Sequence, residues 1–234
     1  MDTYAKKFSG SKAVARYQAK LANRIDRIRH QLELAILLRH ATGRVFDCTI
    51  GIGRFVRTLP NVTSYEGSDL SPEFVDYVRR MFPEVRCYEG NLLDGIAEPD
   101  DAYDCVICLR SLSAIGHLDK ILGEMVRIAA PGGLVILDYG RKPITLNLNC
   151  EQITVDGANA EAAIAQLSAD VVEVARCDAL LTRAKRSARL FRVLTGKAGR
   201  FIPDRVLRAI ETCAAYFFWE RQIVVLRKRI SSLV

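Results

Sequence analysis

The stretch Arg44-Val-Phe-Asp-Cys-Thr-Ile-Gly-Ile-Gly-Arg-Phe55 constrains the fold of this chain more than any other. Val45 and Phe46 open an apolar run that ends at Asp47. Gly51 and Gly53 then make a tight turn, and the residues from Arg54 onward (RFVRTL) read as the start of a helix. A strand feeding a glycine-rich turn and a helix is a device for holding ligands. The glycines let the backbone approach a bound molecule, and a helix N-terminus offers free N–H groups. Alone, the pattern fits nicotinamide, flavin and S-adenosylmethionine (SAM) binders alike, or a turn that binds nothing.

The 234 residues suit one α/β domain with an elaboration or two. Half the residues are hydrophobic and 26% are charged, a globular balance rather than a disordered one. No apolar run approaches the roughly 18–20 residues of a membrane span, and MDTYAKKFSGSK lacks the apolar centre of a signal peptide. These features point to a cytoplasmic protein. The seven cysteines are scattered. Cys105 and Cys108 form a C-x-x-C inside an apolar run, where residues three apart on a strand face opposite sides. Buried free thiols fit better than a shared metal or disulfide. The net charge of +7, concentrated towards the two ends, raises nucleic acid, an anionic membrane or an acidic substrate as partners, beside a merely solvated basic surface.

Residues 12–41 read as one helix, with Val14, Tyr17, Leu21, Ile25, Ile28 and Leu32 at helical spacing and Thr42-Gly43 as its stop. Strand and helix signals then alternate. Strands are expected at 45–48, 63–67, 85–88, 104–109 and 134–138. A helix capped by Ser71-Pro-Glu runs to Met81, and another spans 118–130 until Pro131-Gly-Gly133 breaks it. Such alternation implies a parallel sheet with right-handed crossovers. Further on, 158–168 reads as a helix, 171–175 as a strand, 180–194 as a basic amphipathic helix, 196–203 as a loop, 204–218 as a helix and 221–228 as a last strand whose basic end suits a sheet edge. The expected division is an N-terminal helical cap (1–43), a core (44–179), a helical insertion or lid (180–218) and the final core strand (219–234).

Four places together resemble the class I, SAM-dependent methyltransferases. The first is Asp47-Cys-Thr49-Ile-Gly51-Ile-Gly53, where Thr49 replaces the first glycine of the family's usual acid and G-x-G-x-G. The second is Gly67-Ser-Asp69-Leu70-Ser-Pro72, the third Gly90-Asn91-Leu92-Leu93-Asp94, and the fourth Tyr103 to Ile115, followed by Pro131-Gly-Gly133. The resemblance covers 44–139 well and 221–228 loosely. It implies an α/β, Rossmann-like, mostly parallel seven-stranded sheet with helices on both faces, an antiparallel last strand and a helical insertion before it.

The resemblance also implies a SAM site made of Asp47, Thr49, Gly51, Gly53, Asp69, Leu70, Asn91, Leu92, Leu109 and Arg110. Asp69 would accept from the ribose diol, a task suited to an acceptor-only carboxylate, and its alternative is a plain helix-start residue. Asn91 would meet the adenine amino group and Leu92 its ring; a turn former is the alternative. His117 is the best-placed candidate for a base, although relatives carry a histidine where this chain has Ala114. Tyr17, Tyr139 and Arg141 are candidates to line the acceptor pocket, since ligands gather at the carboxyl ends of such strands.

No metal is implied. The absence of Asn-Pro-Pro-Tyr weighs against methylation of base amino groups. The reading is therefore a methyltransferase acting on a small molecule, at the oxygen of a natural product, lipid-linked compound or sugar. The segment 180–218 is suited to cover a greasy acceptor or rest on a membrane surface. Competing readings are an RNA or protein methyltransferase, a catalytically silent partner subunit of the same fold, and a nicotinamide oxidoreductase.

Overall fold

The computed structural model describes residues 9–148, 151–178, 203–218 and 220–230. Seven strands form one sheet: β1 (Gly43–Asp47), β2 (Val62–Asp69), β3 (Arg86–Glu89), β4 (Tyr103–Cys108), β5 (Ala129–Gly140), β8 (Ala169–Cys177) and β9 (Arg221–Lys228). Their order is β3-β2-β1-β4-β5-β9-β8. The first five run parallel. Only β9 is reversed, pairing antiparallel with β5 on one side and β8 on the other. A separate hairpin joins β6 (Ile144–Leu148) to β7 (Glu151–Val155).

Central strands of a sheet covered on both faces must be apolar almost throughout. Tyr103-Asp-Cys-Val-Ile-Cys108 meets that demand, with only Asp104 exposed. Successive residues serve opposite faces, so Cys108 and Val106 enter one core cluster while Cys105 and Ile107 enter the other. The first cluster is completed by α5 (Leu118–Ile128), through Ile121, Leu122, Met125 and Val126, and by α6 (Gly157–Ala165). The second receives Ile36 and Leu37 from α2 (Arg24–His40) and Val75 and Val78 from α3 (Pro72–Met81). Helices therefore flank both faces, as expected. The remaining helices are α1 (Ala13–Ala22), the short α4 (Leu112–Ile115) and α7 (Asp204–Phe218). Among the described residues no helix is long and apolar enough to cross a membrane.

Several expectations need correction. The helix foreseen over 12–41 is two helices. Asn23 is extended (ψ 136°) and its Oδ1 accepts from Ile25 N–H at 2.9 Å, capping α2 afresh. No α-helix follows the glycine turn. Residues 51–58 form successive turns closed by three-residue bonds such as Val56 N–H to Gly53 O and Thr58 N–H to Phe55 O. Arg57 sits at φ 61° and Pro60 follows closely, so a helix has no room to propagate. Pro131-Gly-Gly133 lies inside β5 rather than between helix and strand, with Gly132 at φ 78°.

The strand β9 is not an edge. Its basic ends are paired internally: Lys228 Nζ donates to Asp101 at 2.6 Å and to Ala129 O at 2.8 Å, and Arg221 joins a buried cluster described below. The hairpin β6–β7 was not foreseen. The expected helix 180–194 and most of the loop 196–203 lie outside the described residues.

Candidate active site at the carboxyl ends of the strands

The glycine turn leaves β1 at Asp47 and is held by carboxylates from two strands. Asp47 accepts Thr49 N–H at 3.2 Å on Oδ1 and the Tyr65 hydroxyl at 2.8 Å on Oδ2. Burial raises its carboxyl, opposed by those hydrogen bonds. Strand β2 passes so close that a Cβ on Gly67 would stand 2.5 Å from Asp47 O, which is why glycine is required there.

At the end of β2, Asp69 Oδ2 accepts Gly51 N–H at 2.8 Å and Oδ1 accepts Ser71 N–H at 3.0 Å. Each carboxylate oxygen keeps a second lone pair. Burial pushes the Asp69 carboxyl up to about 6, against the pull of the Ser71 and Gly51 amides. Gly51 itself has φ 56°, and the Tyr17 ring of α1 lies 3.9 Å from where its Cβ would be. The two glycines are not alike. A Cβ on Gly53 would strike the Phe82 ring at 2.8 Å, whereas the space above Gly51 is open towards Tyr17.

Thr49 is bridged to the end of β4: Ser111 donates to its Oγ1 at 3.0 Å. Leu70 is exposed (51%) beside Asp69. Asn91 caps the short turn Leu92–Asp94, accepting Leu93 N–H at 3.1 Å, and is half-buried. Together these place Asp47, Thr49, Gly51, Asp69, Leu70 and Tyr17 around one turn. These groups fit an adenosyl cofactor: an acid with free lone pairs, a glycine without a side chain over the turn, and an aromatic ring beside it.

Other expected residues stand elsewhere. Leu92 and Leu109 are buried in the core, so their side chains are packing residues here. Tyr139 is 2% exposed, and its hydroxyl is held by Gln222 and by Glu161; it belongs to the core and does not line an open pocket. Arg141 is exposed, with its N–H donating to Glu220 O at 2.9 Å. His117 is exposed at the start of α5, with left-handed backbone (φ 47°) and no side-chain capping bond. This is a surface helix-start position.

Arg110, expected in the SAM site, instead joins a second group that sequence reasoning otherwise missed. Glu33 of α2 is fully buried, with 0% exposure. Its Oε2 accepts from Arg54 Nη1 at 2.8 Å, and its Oε1 accepts from Arg110 Nε at 2.6 Å and from Arg221 Nη1 at 2.8 Å. Three guanidinium groups hold this carboxyl well below the usual range despite its burial. Asp138 of β5 accepts the Arg110 N–H at 2.6 Å and pairs with Arg221. Asp178 pairs with Arg29 at 2.9 Å and Arg221 at 3.2 Å. His30 stacks on Phe55 and approaches Arg54; burial and that cation push its pKa down. Two signals in the sequence pointed here. Glu33 lies on the same helical stripe as Ile25, Ile36 and Leu37, and Asp138 ends the otherwise apolar LVIL of β5.

Residues 45–133 match the family described as a methyltransferase domain. The sheet order with its reversed β9 is the class I arrangement. Residues 45–133 are thus similar to a methyltransferase domain, set in a sheet of the class I order.

Among curated proteins, it is 30% identical over 147 residues to a demethylmenaquinone methyltransferase of Deinococcus radiodurans, covering 54% of this chain and 60% of the relative. It is 31% identical over 123 residues to the enzyme of that name from Thermus thermophilus, covering 49% of this chain and 54% of the relative. The chain thus spans little more than half the length of these relatives. Among solved structures, a Haloferax volcanii methyltransferase crystallised with its activator superposes with a TM-score of 0.63 at 17% identity, covering 98% of this chain and 99% of that one. Geranyl diphosphate C-methyltransferase of Streptomyces coelicolor gives 0.61 at 17% identity, covering 94% and 83%. At such identity these two show the shared fold.

Proposed function

We propose that this chain transfers the methyl group of SAM to a small-molecule acceptor, at an oxygen of a natural product, lipid-linked compound or sugar. The observation that carries the reading is Asp69, a carboxylate placed at the end of β2 and hydrogen-bonded to the glycine turn with lone pairs to spare. The relatives' names, demethylmenaquinone methyltransferase and malonyl-[acyl-carrier protein] O-methyltransferase, refer to small or carrier-borne acceptors. Much of the basic charge near the strand ends is matched by buried acids, which argues for a pocket rather than a nucleic-acid surface.

When bound, SAM supplies a methyl group already made electrophilic by its sulfonium. Asp69 would accept the ribose hydroxyls, and Asn91 and Leu70 would hold the adenine side. The open face of Gly51 would admit the cofactor, and Tyr17 would cover it. The Thr49–Ser111 bond holds the ends of β1 and β4 in register, which fixes where an acceptor meets the methyl carbon. Positioning of this kind supplies much of the rate in a displacement reaction. The reading makes 1–43 a cap and 180–218 a lid over the acceptor. The ion pair of Arg24 with Asp204, at 2.8 Å, joins those two segments.

Isothermal titration with SAM and with its demethylated product tests the reading. Micromolar binding that Asp69→Ala abolishes supports it, and labelled methyl transfer to candidate acceptors follows. Absence of heat from folded protein refutes it.

A further inference from the structure

The Glu33 cluster contains donors with no hydrogen-bond partner among the described residues. Glu33 Oε1 accepts from both Arg110 Nε and Arg221 Nη1, so one oxygen atom holds two guanidinium groups side by side. Arg221 also pairs with Asp138, and its Nε lies 3.2 Å from Asp178. Arg110 Nη1 lies 3.7 Å from Asp26. The Nη2 atoms of Arg110 and Arg221 are buried and have no hydrogen-bond partner among the described residues. A buried cationic donor stripped of water and given no acceptor is strongly unfavourable. Each such group calls for an explanation, and a ligand is one.

Their location supplies that ligand. Arg110 directly precedes Ser111, which is bonded to Thr49 of the glycine turn, and Arg54 of the same cluster follows Gly53. The side chains of Arg110 and Arg221 keep 13% and 12% of their surface exposed, so the cluster reaches the surface while the Nη2 atoms lie just beneath it. The carboxylates of Asp26, Glu33, Asp138 and Asp178 are all engaged by arginines, which leaves nothing for a cationic ligand. An apolar ligand would leave the donors unfilled.

We propose that Arg110 and Arg221 form the acceptor subsite, their free Nη2 edges taking a carboxylate or phenolate oxygen of the substrate. The inference rests on the methyl-transfer reading above. Two adjacent guanidinium groups favour the ionised acceptor, which binds with its proton already lost to solvent. No protein base is then required, in keeping with the exposed His117. An oxygen lone pair forms the new O–CH3 bond as the C–S bond breaks, and the bonding pair passes to sulfur. The sulfonium becomes a neutral thioether and the oxyanion becomes a neutral ester or ether. The product has lost the charge the arginines held, so it leaves.

The test uses the full chain with the demethylated cofactor product bound, titrated with benzoate and with benzamide, its uncharged counterpart. Benzoate is expected to bind about tenfold or more tightly than benzamide, with affinity falling as salt rises. Arg221→Lys keeps the charge but removes the free edge, and should cut that preference to about twofold. Equal binding of the two probes by wild-type protein overturns the proposal. So does a benzoate preference that survives unchanged in folded Arg221→Lys, because the anion then binds elsewhere. If Arg221→Lys does not fold, the wild-type comparison still decides. Failure to bind the demethylated product at all is a separate result, and refutes the methyl-transfer reading instead.

Discussion

Around the glycine turn, the carboxylates are paired across short stretches of chain; around Glu33 they are paired across nearly all of it. Asp69 reaches Ser71 two residues away and Gly51 eighteen away. Glu33 reaches Arg54 at 21, Arg110 at 77 and Arg221 at 188. The first region is a turn that holds its own carboxylate. The second exists only once the helix α2, the loop after β4 and the strand β9 are all in place. A substitution in the first region should therefore damage cofactor binding, whereas removing Glu33, the acid that joins the second, should damage the fold.

The largest expected effect is at Glu33. Glu33→Ala leaves Arg54, Arg110 and Arg221 buried without their shared partner, and breaking such a buried network should cost about 3–5 kcal/mol. Urea unfolding measures it. A loss below about 1 kcal/mol would mean that water already screens the cluster, and would break the contrast.

Next is Asp69→Ala. It should weaken SAM binding by about a hundredfold, the loss of two charge-assisted hydrogen bonds, and leave unfolding little changed. A large fall in stability would place Asp69 with the structural region instead.

The third is a pH effect. The Asp69 carboxyl titrates at about 6 because burial disfavours its charge. Ribose hydroxyls bind the ionised form, so protonation opposes binding. SAM affinity should be flat above about pH 7, fall as pH drops through 6, and approach tenfold per unit below it. Calorimetry from pH 5 to 8 follows this, and Asp69→Asn should flatten the profile.

The smallest effect is expected at His117. Its exposed position predicts that His117→Ala changes turnover by no more than about twofold, whereas a general base is worth about a hundredfold or more. A loss of that larger size, at saturating acceptor, would return His117 to the reaction.

The same contrast explains what could be read from residues alone. Strands β1 to β5 were legible because β-branched, buried runs such as Cys105 to Cys108 have few other ways to fold. The cap at Ser71 and the acid at Asp69 were legible because each is specified by neighbours within a few residues. The break at Asn23 was hidden by apolar spacing that continues across it. The basic end of β9 read as solvent-facing because its partners, Glu33, Asp138 and Asp101, lie far away in the chain. Tyr139 followed the rule for strand ends, yet Gln222 and Glu161 draw its hydroxyl inward. Only the out-of-place Glu33 and Asp138 hinted at the cluster, and neither names its partners.

The position of β9 between β5 and β8 also sets an order of events during synthesis. The strands β1 to β5 can assemble as the first 140 residues emerge, since each parallel pair lies within that span. The free side of β5, and all of β8, must wait for residues 221–228. Until then the nascent chain carries an open, apolar strand edge of the kind that recruits other chains. Glu33 waits as well, without Arg221. The final strand thus acts as a late closing step, joining the sheet and completing the buried ion cluster in a single event.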